Sequence, residues 1–221
     1  RVAAASLEAV LFDFDYTLAD SSAGVVDCIH FAFERMGLPQ SPADRICSTI
    51  GLSVEETLVD LAGEGRRCRT DEFRRLFKER ADQVMAVNTS VFDTAAPTLA
   101  WLQGQGIRTG IVSTKFRYRI EFILAREGLL ERVDVIVGGE DVACEKPDPA
   151  GLSAAVEQLG IAPIDALYVG DSLTDAETAR RAEIRFAAVL TGTTKAEAFA
   201  DQATEALLLT LDELPGLVER M

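Results

Sequence analysis

The 221-residue chain is punctuated by short apolar runs at Ala9–Phe12, Thr109–Val112, Val133–Val137, Ala166–Val169 and Phe186–Leu190. Each has strand length and lacks polar alternation, the pattern of strands covered on both faces. Between them lie segments with helical spacing: Pro97–Gln103, Arg119–Glu127, Pro149–Leu159 and Asp175–Ala182. In Arg119–Glu127, for example, Ile120, Ile123 and Leu124 share one helix face. Alternation of strand and helix predicts an α/β fold, a Rossmann-like parallel sheet with helices on both faces. Ligands of such sheets sit beyond the carboxyl ends of the strands.

One stretch breaks the alternation. From Ser21 to Phe92 the pattern shows no convincing strand and predicts helices at Val25–Met36, Pro42–Ser48, Val54–Ala62 and Asp71–Ala86, separated by Gly37, Pro39, Gly51, Gly63 and Gly65. The expected organisation is a core formed by residues 1–20 and 93–221, with an all-helical insert at 21–92. Phe31, Phe33, Phe73 and Phe77 fit packing inside the insert, and His30 reads as a structural histidine rather than a catalytic one.

Charge separates the parts further. The net charge is −14; residues 21–92 hold 9 basic and 11 acidic side chains, and the rest holds 13 and 25. This excess disfavours nucleic acid or an anionic membrane surface as a partner. No run approaches the ~20 apolar residues that span a bilayer, and Arg1–Ala5 does not read as a signal peptide. Cys28, Cys47, Cys68 and Cys144 contain no Cys-x-x-Cys pair, so reduced thiols in a cytoplasmic protein are expected. With one histidine in the chain, general acid–base chemistry falls to carboxylates. Arg66, Arg67, Arg69, Arg74 and Arg75 could form a basic lip, but a solvated helix face explains them more simply.

The acids are not scattered evenly. Asp13 and Asp15 follow the first apolar run, and Gly170-Asp171 with Asp175 follows the fourth. Two like charges at one strand end are costly unless a cation neutralises them. Helix capping accounts for one acid of the second set, but not for acid-rich ends on two strands. Carboxylates gathered from two strand ends are hard oxygen ligands and point to a divalent cation such as Mg²⁺. Ser113 and Thr114 follow the second run, and Lys146 lies in the loop Glu145-Lys146-Pro147-Asp148-Pro149. Each is weak alone. Together they bring carboxylates, hydroxyls and a lysine to one sheet edge, the equipment of phosphoryl transfer, where positioning and electrostatics do most of the catalysis.

The order Asp13-x-Asp15-x-Thr17, Ser113, Lys146-Pro147, Gly170-Asp171-x-x-x-Asp175 resembles the four motifs of the haloacid-dehalogenase-like (HAD) hydrolases. The helical insert resembles their C1-type cap, which governs substrate specificity. Asp15–Ser21 and Lys146–Pro149 are similar to the phosphoglycolate phosphatase-like branch. Tyr16 stands where many members carry glycine, and Thr114 where close relatives often carry asparagine.

The resemblance implies a Mg²⁺-dependent phosphatase for a small phosphorylated metabolite. Asp13 would be the nucleophile and Asp15 the acid and then the base. Thr17, Ser113, Thr114 and Lys146 would hold phosphate, with Gly51 in the cap loop Ile50–Glu55 facing the substrate. Asp13, the backbone carbonyl of Asp15, and Asp171 would hold the metal, and Asp175 would orient Lys146 or a metal-bound water. The same motifs are compatible with a pyrophosphatase or a phosphomutase, though Val54 falls where β-phosphoglucomutases tend to carry a basic residue. The presence of Asp15 disfavours a dehalogenase. From a different class, a phospho-aspartate signalling receiver would have its lysine last in the chain, whereas Asp171 follows Lys146 here. A non-catalytic HAD-fold binding protein would not need every motif residue. No oligomeric state is implied.

Overall fold

A computed structural model describes residues 7–221; Arg1–Ala5, read above for targeting signals, lies outside the described residues. The chain divides into two compact units, one formed by the chain up to Ala19 and from Val91 to Met221, the other by Asp20–Ser90.

The first unit is built on a six-stranded parallel sheet: β1 (Ala9–Phe12), β4 (Arg108–Val112), β5 (Val135–Val137), β6 (Ala166–Gly170), β7 (Arg185–Val189) and β8 (Ala206–Leu208), in the order β5-β4-β1-β6-β7-β8. Every residue of β1 and β6 is buried, which is why neither shows polar alternation. Helices α5 (Ala95–Gly104), α6 (Arg117–Arg126), α7 (Ala150–Leu159), α8 (Leu173–Arg181) and α9 (Leu214–Val218) complete this unit. Val112, Val137, Leu152, Val156, Tyr168 and Phe186 belong to one buried cluster that joins strands to α7.

Three strands were not expected from the pattern. A two-residue ribbon, β2 (Ala19–Asp20) with β3 (Ser90–Val91), lies where the chain leaves and re-enters the sheet unit; two residues carry no periodicity. At β8, Leu207 is exposed and Leu208 buried, so this edge strand is not covered on both faces as the central ones are. The third strand starts at Val135, not Val133, because Val133 closes a 3₁₀ turn over Leu130–Arg132.

The second unit contains α1 (Ser22–Met36), α2 (Ala43–Cys47), α3 (Val54–Ala62) and α4 (Thr70–Val84). Gly37 ends α1 in the left-handed conformation, and a Ser53–Glu56 capping box starts α3. Phe33 and Phe73 are buried in its core with Ile29, Ile46 and Leu58, and Phe31 and Phe77 pack against them. His30 Nε2 lies 2.9 Å from the Ser41 carbonyl, a local structural tie. Four of the five arginines singled out above are partnered by neighbouring acids: Arg67 with Glu64 and Glu55, Arg69 with Glu72, Arg74 with Asp71, Arg75 with Glu79.

Among the described residues no helix is long and apolar enough to cross a membrane. None of the four cysteines forms a disulfide: Cys28 is buried, while Cys68 and Cys144 are exposed and so play no part in a core.

Candidate active site

Because all strands of the sheet are parallel, residues that follow them emerge along one edge. Asp13 follows β1, Ser113 follows β4, Asp171 follows β6, and Lys146 lies in the loop between β5 and α7. The strand order puts β1 between β4 and β6, so Asp13 is central among them.

Lys146 joins the acids. Its Nζ lies 3.0 Å from Asp13 Oδ1, an ion pair without an aligned hydrogen bond. It donates to Asp175 Oδ1 at 2.6 Å and to the Tyr168 hydroxyl at 3.2 Å. All four side chains are buried. Asp13, Asp171 and Asp175 each bring a carboxylate oxygen within 4.8 Å of the others.

The third of these acids is already occupied. Asp175 Oδ2 accepts from Ser172 Oγ at 2.6 Å and Ser172 N at 3.1 Å in the capping box that starts α8, while Oδ1 takes Lys146 and the Tyr168 hydroxyl. Gly170 makes room for it, since a Cβ there would lie 2.6 Å from the Asp175 carboxyl carbon. Asp175 is therefore both a helix cap and a hydrogen-bond partner of Lys146. Asp13 and Asp171 are the carboxylates with capacity for a cation.

Electrostatics agree. Burial pushes the Asp13 carboxyl up to about 7, helped by Asp175 and Asp15 and opposed by Lys146. Burial, with the charges of Asp175 and Asp13, holds Asp171 well above the ordinary carboxylate range. For Lys146, burial works against the ammonium, but Asp13 and Asp175 together outweigh it and raise its pKa. One lysine leaves two buried acids short of positive charge. A hard divalent cation with a preference for carboxylate oxygen fits that deficit.

The remaining predicted residues lie as follows. Ser113 is buried at the end of β4, where its Oγ accepts from Lys115 N at 3.3 Å. Thr114 is half-buried beside it. Thr17 is fully buried, and its hydroxyl makes no hydrogen bond. Asp15 pairs with a residue outside the predicted set: Lys115 Nζ lies 3.3 Å from Asp15 Oδ2, with side chains 4% and 12% exposed. Gly51, with φ of 96°, belongs to the helical unit. Tyr16 has φ of 60°, a left-handed conformation that favours glycine.

The loop after β7 also contributes. Thr191 Oγ1 donates to the Tyr16 carbonyl at 2.5 Å, holding that left-handed turn. A Cβ on Gly192 would lie 1.9 Å from Asp171 Oδ2, so only glycine admits this approach. Sequence reasoning missed Lys115, Tyr168, Thr191 and Gly192. Lys115 adjoins a predicted motif, and Tyr168 lies two residues before Gly170. Thr191-Gly192 follows a predicted strand end, the position that drew attention to the other loops.

A doubly wound parallel sheet with a lysine-bridged cluster of buried acids on its carboxyl edge defines an α/β enzyme whose chemistry sits at the strand ends. The sequence matches the haloacid dehalogenase-like hydrolase family over residues 10–189, and the chain belongs to that family. A crystal structure from Bacteroides fragilis assigned to the haloacid dehalogenase-like hydrolases superposes with a TM-score of 0.91 at 42% identity, covering 95% of this chain and 100% of that one. The chain is similar to the phosphoglycolate phosphatase of Nitrosococcus oceani, at 28% identity over 96% of this chain and 97% of the relative. Against the phosphoglycolate phosphatase of Pectobacterium atrosepticum it is 30% identical over 81% of this chain and 79% of the relative. The protein is thus a hydrolytic enzyme with phosphatase relatives.

Proposed function

We propose that this hydrolase is a Mg²⁺-dependent phosphatase of the phosphoglycolate phosphatase kind, cleaving a small phosphomonoester through an aspartyl-phosphate on Asp13. The observation that carries the reading is the buried Asp13 carboxylate, central at the sheet edge, 3.0 Å from Lys146 Nζ and clustered with Asp171.

In the first half-reaction an Asp13 oxygen attacks phosphorus, the phosphorus–oxygen ester bond breaks, and Asp15 gives its proton to the leaving alkoxide. In the second, Asp15 takes a proton from water as that water attacks phosphorus. The bond to Asp13 breaks and phosphate leaves. Ser113, Thr114 and Thr17 supply hydrogen bonds to phosphate oxygens, and Lys146 offsets charge on Asp13 and the transferring group. Asp13, Asp171 and the backbone carbonyl of Asp15 would hold Mg²⁺, which when bound supplies positive charge against the nucleophile and phosphate. Asp175 orients Lys146. Substrate selection is assigned to the helical insert, whose Ile50–Ser53 loop carries Gly51. The chain's four cysteines form no disulfide, which favours a reducing, cytoplasmic location.

A Mg²⁺-dependent phosphate-release assay with p-nitrophenyl phosphate, 2-phosphoglycolate, sugar phosphates, nucleotides and pyrophosphate tests the reading. Asp13→Asn is expected to abolish release while leaving thermal unfolding intact. Turnover retained in that variant would refute the nucleophile, and release confined to pyrophosphate would refute the monoester.

A further inference from the structure

We infer that Tyr168 is a positioning residue whose hydroxyl holds the Lys146 ammonium against Asp13; this rests on the phosphatase reading for its kinetic consequences but not for its geometry. Tyr168 is fully buried in the middle of β6. A core tyrosine needs one hydrogen-bond partner for its hydroxyl. This one has three, each from a different part of the sheet edge. It accepts from Lys146 Nζ at 3.2 Å, and it lies 3.0 Å from both the Val112 carbonyl and Asp175 Oδ1. Its single proton goes to one of these two acceptors.

The Val112 contact crosses the sheet. Tyr168 is paired with Leu11 on β1, and β4 lies beyond β1, so the side chain reaches past the central strand. Val112 immediately precedes Ser113. The hydroxyl therefore ties the strand that delivers Ser113 to the lysine that faces Asp13. Lys146 is contested between two acids, with Asp175 at 2.6 Å and Asp13 at 3.0 Å. Asp175 is itself fixed by Ser172. Tyr168 supplies the anchor, fixed in the sheet, that keeps Nζ between them. Without it the ammonium is free to settle on Asp175 and withdraw from the nucleophile.

Tyr168→Phe removes one oxygen and keeps the ring in the core, so the fold is retained. A misplacement of the order of 1 Å at a reacting group can cost about 10²-fold, so kcat is expected to fall roughly 10- to 100-fold while KM stays within about threefold. In a Lys146→Gln background the same change is expected to leave the residual kcat unaltered, because Tyr168 acts through Lys146. Independently of turnover, the ¹H–¹⁵N signal of the Lys146 ammonium in lysine-labelled protein is expected to shift or broaden in Tyr168→Phe. An unchanged kcat, or an equal fall in both backgrounds, would overturn the inference in favour of a packing role. If the wild-type protein releases no phosphate from any substrate, the phosphatase reading fails. The ammonium signal then decides the role of Tyr168 by itself, and a signal unchanged in Tyr168→Phe overturns it.

Discussion

Gly192 offers the sharpest probe of the acid cluster because the perturbation is a single methyl group. A Cβ at that position would lie 1.9 Å from Asp171 Oδ2, 2.7 Å from its carboxyl carbon and 3.1 Å from its Cβ. Carbon and oxygen do not approach much inside about 3 Å, so Gly192→Ala forces the carboxylate to yield by roughly 1 Å. The backbone itself is not the obstacle, since Gly192 is not among the positive-φ glycines. Mg²⁺ demands near-ideal octahedral geometry at about 2.0–2.1 Å, and a ligand displaced by half that distance is in effect lost. Disturbing the surroundings of a metal ligand typically costs about 10- to 100-fold in affinity, equivalent to about 1.4–2.8 kcal/mol.

The expected outcome is a 10- to 100-fold higher Mg²⁺ concentration for half-maximal activity and for half-maximal thermal stabilisation. Gly104→Ala is the matched control. Gly104 ends α5 with nothing within 4 Å of its would-be Cβ, and that substitution should leave both midpoints unmoved. A folded Gly192→Ala variant with a Mg²⁺ midpoint within twofold of wild type would refute the assignment of Asp171 as a metal ligand.

Two further outcomes follow from the buried charges. Asp13 is pushed up to about 7 and Asp171 well above its ordinary range, so the metal-free fold holds protons that the unfolded chain, with carboxyl pKa near 4, has released. The stability this contributes is complete below about pH 4 and is lost as pH rises through about 7. Mg²⁺ held by the ionised carboxylates, as proposed, would restore it, so the rise in Tm on adding MgCl₂ should be several degrees larger at pH 7.5 than at pH 5; an equal rise at both would contradict the acid cluster as its site. Lys115→Met strips a buried cation from Asp15 and should cost about 3 kcal/mol in urea unfolding. Adding Asp15→Asn should return much of that loss, whereas strict additivity would show that the pair is not coupled.

What the sequence made legible and what it concealed divide along a physical line. A parallel sheet turns every strand's carboxyl end toward one edge, so apolar runs ending in Asp13, Ser113 and Asp171 could be placed together without knowing the strand order. Lys146 needed only a loop on the same side. Residues that act through a contact had no such signature. Tyr168 reads as one more apolar position of β6, because a buried strand hides which side chain carries a polar tip, and its partner Val112 is recognised only once β1 is seen between β4 and β6. Gly192 reads as a turn residue, and its importance lies in an atom it lacks beside Asp171. Lys115 reads as a solvated loop lysine until its side chain proves buried against Asp15. Charge composition said less: the acidic excess disfavoured polyanionic partners, and the cation was expected from the acids at two strand ends, without saying which of them are spare. Hydrogen bonds distinguish them. Asp175, which the spacing alone leaves equivalent to Asp171, has both oxygens committed to Ser172, Lys146 and Tyr168. The proposed roles of ligand and orienter thus rest on unspent lone pairs, a property of packing that spacing along the chain does not encode.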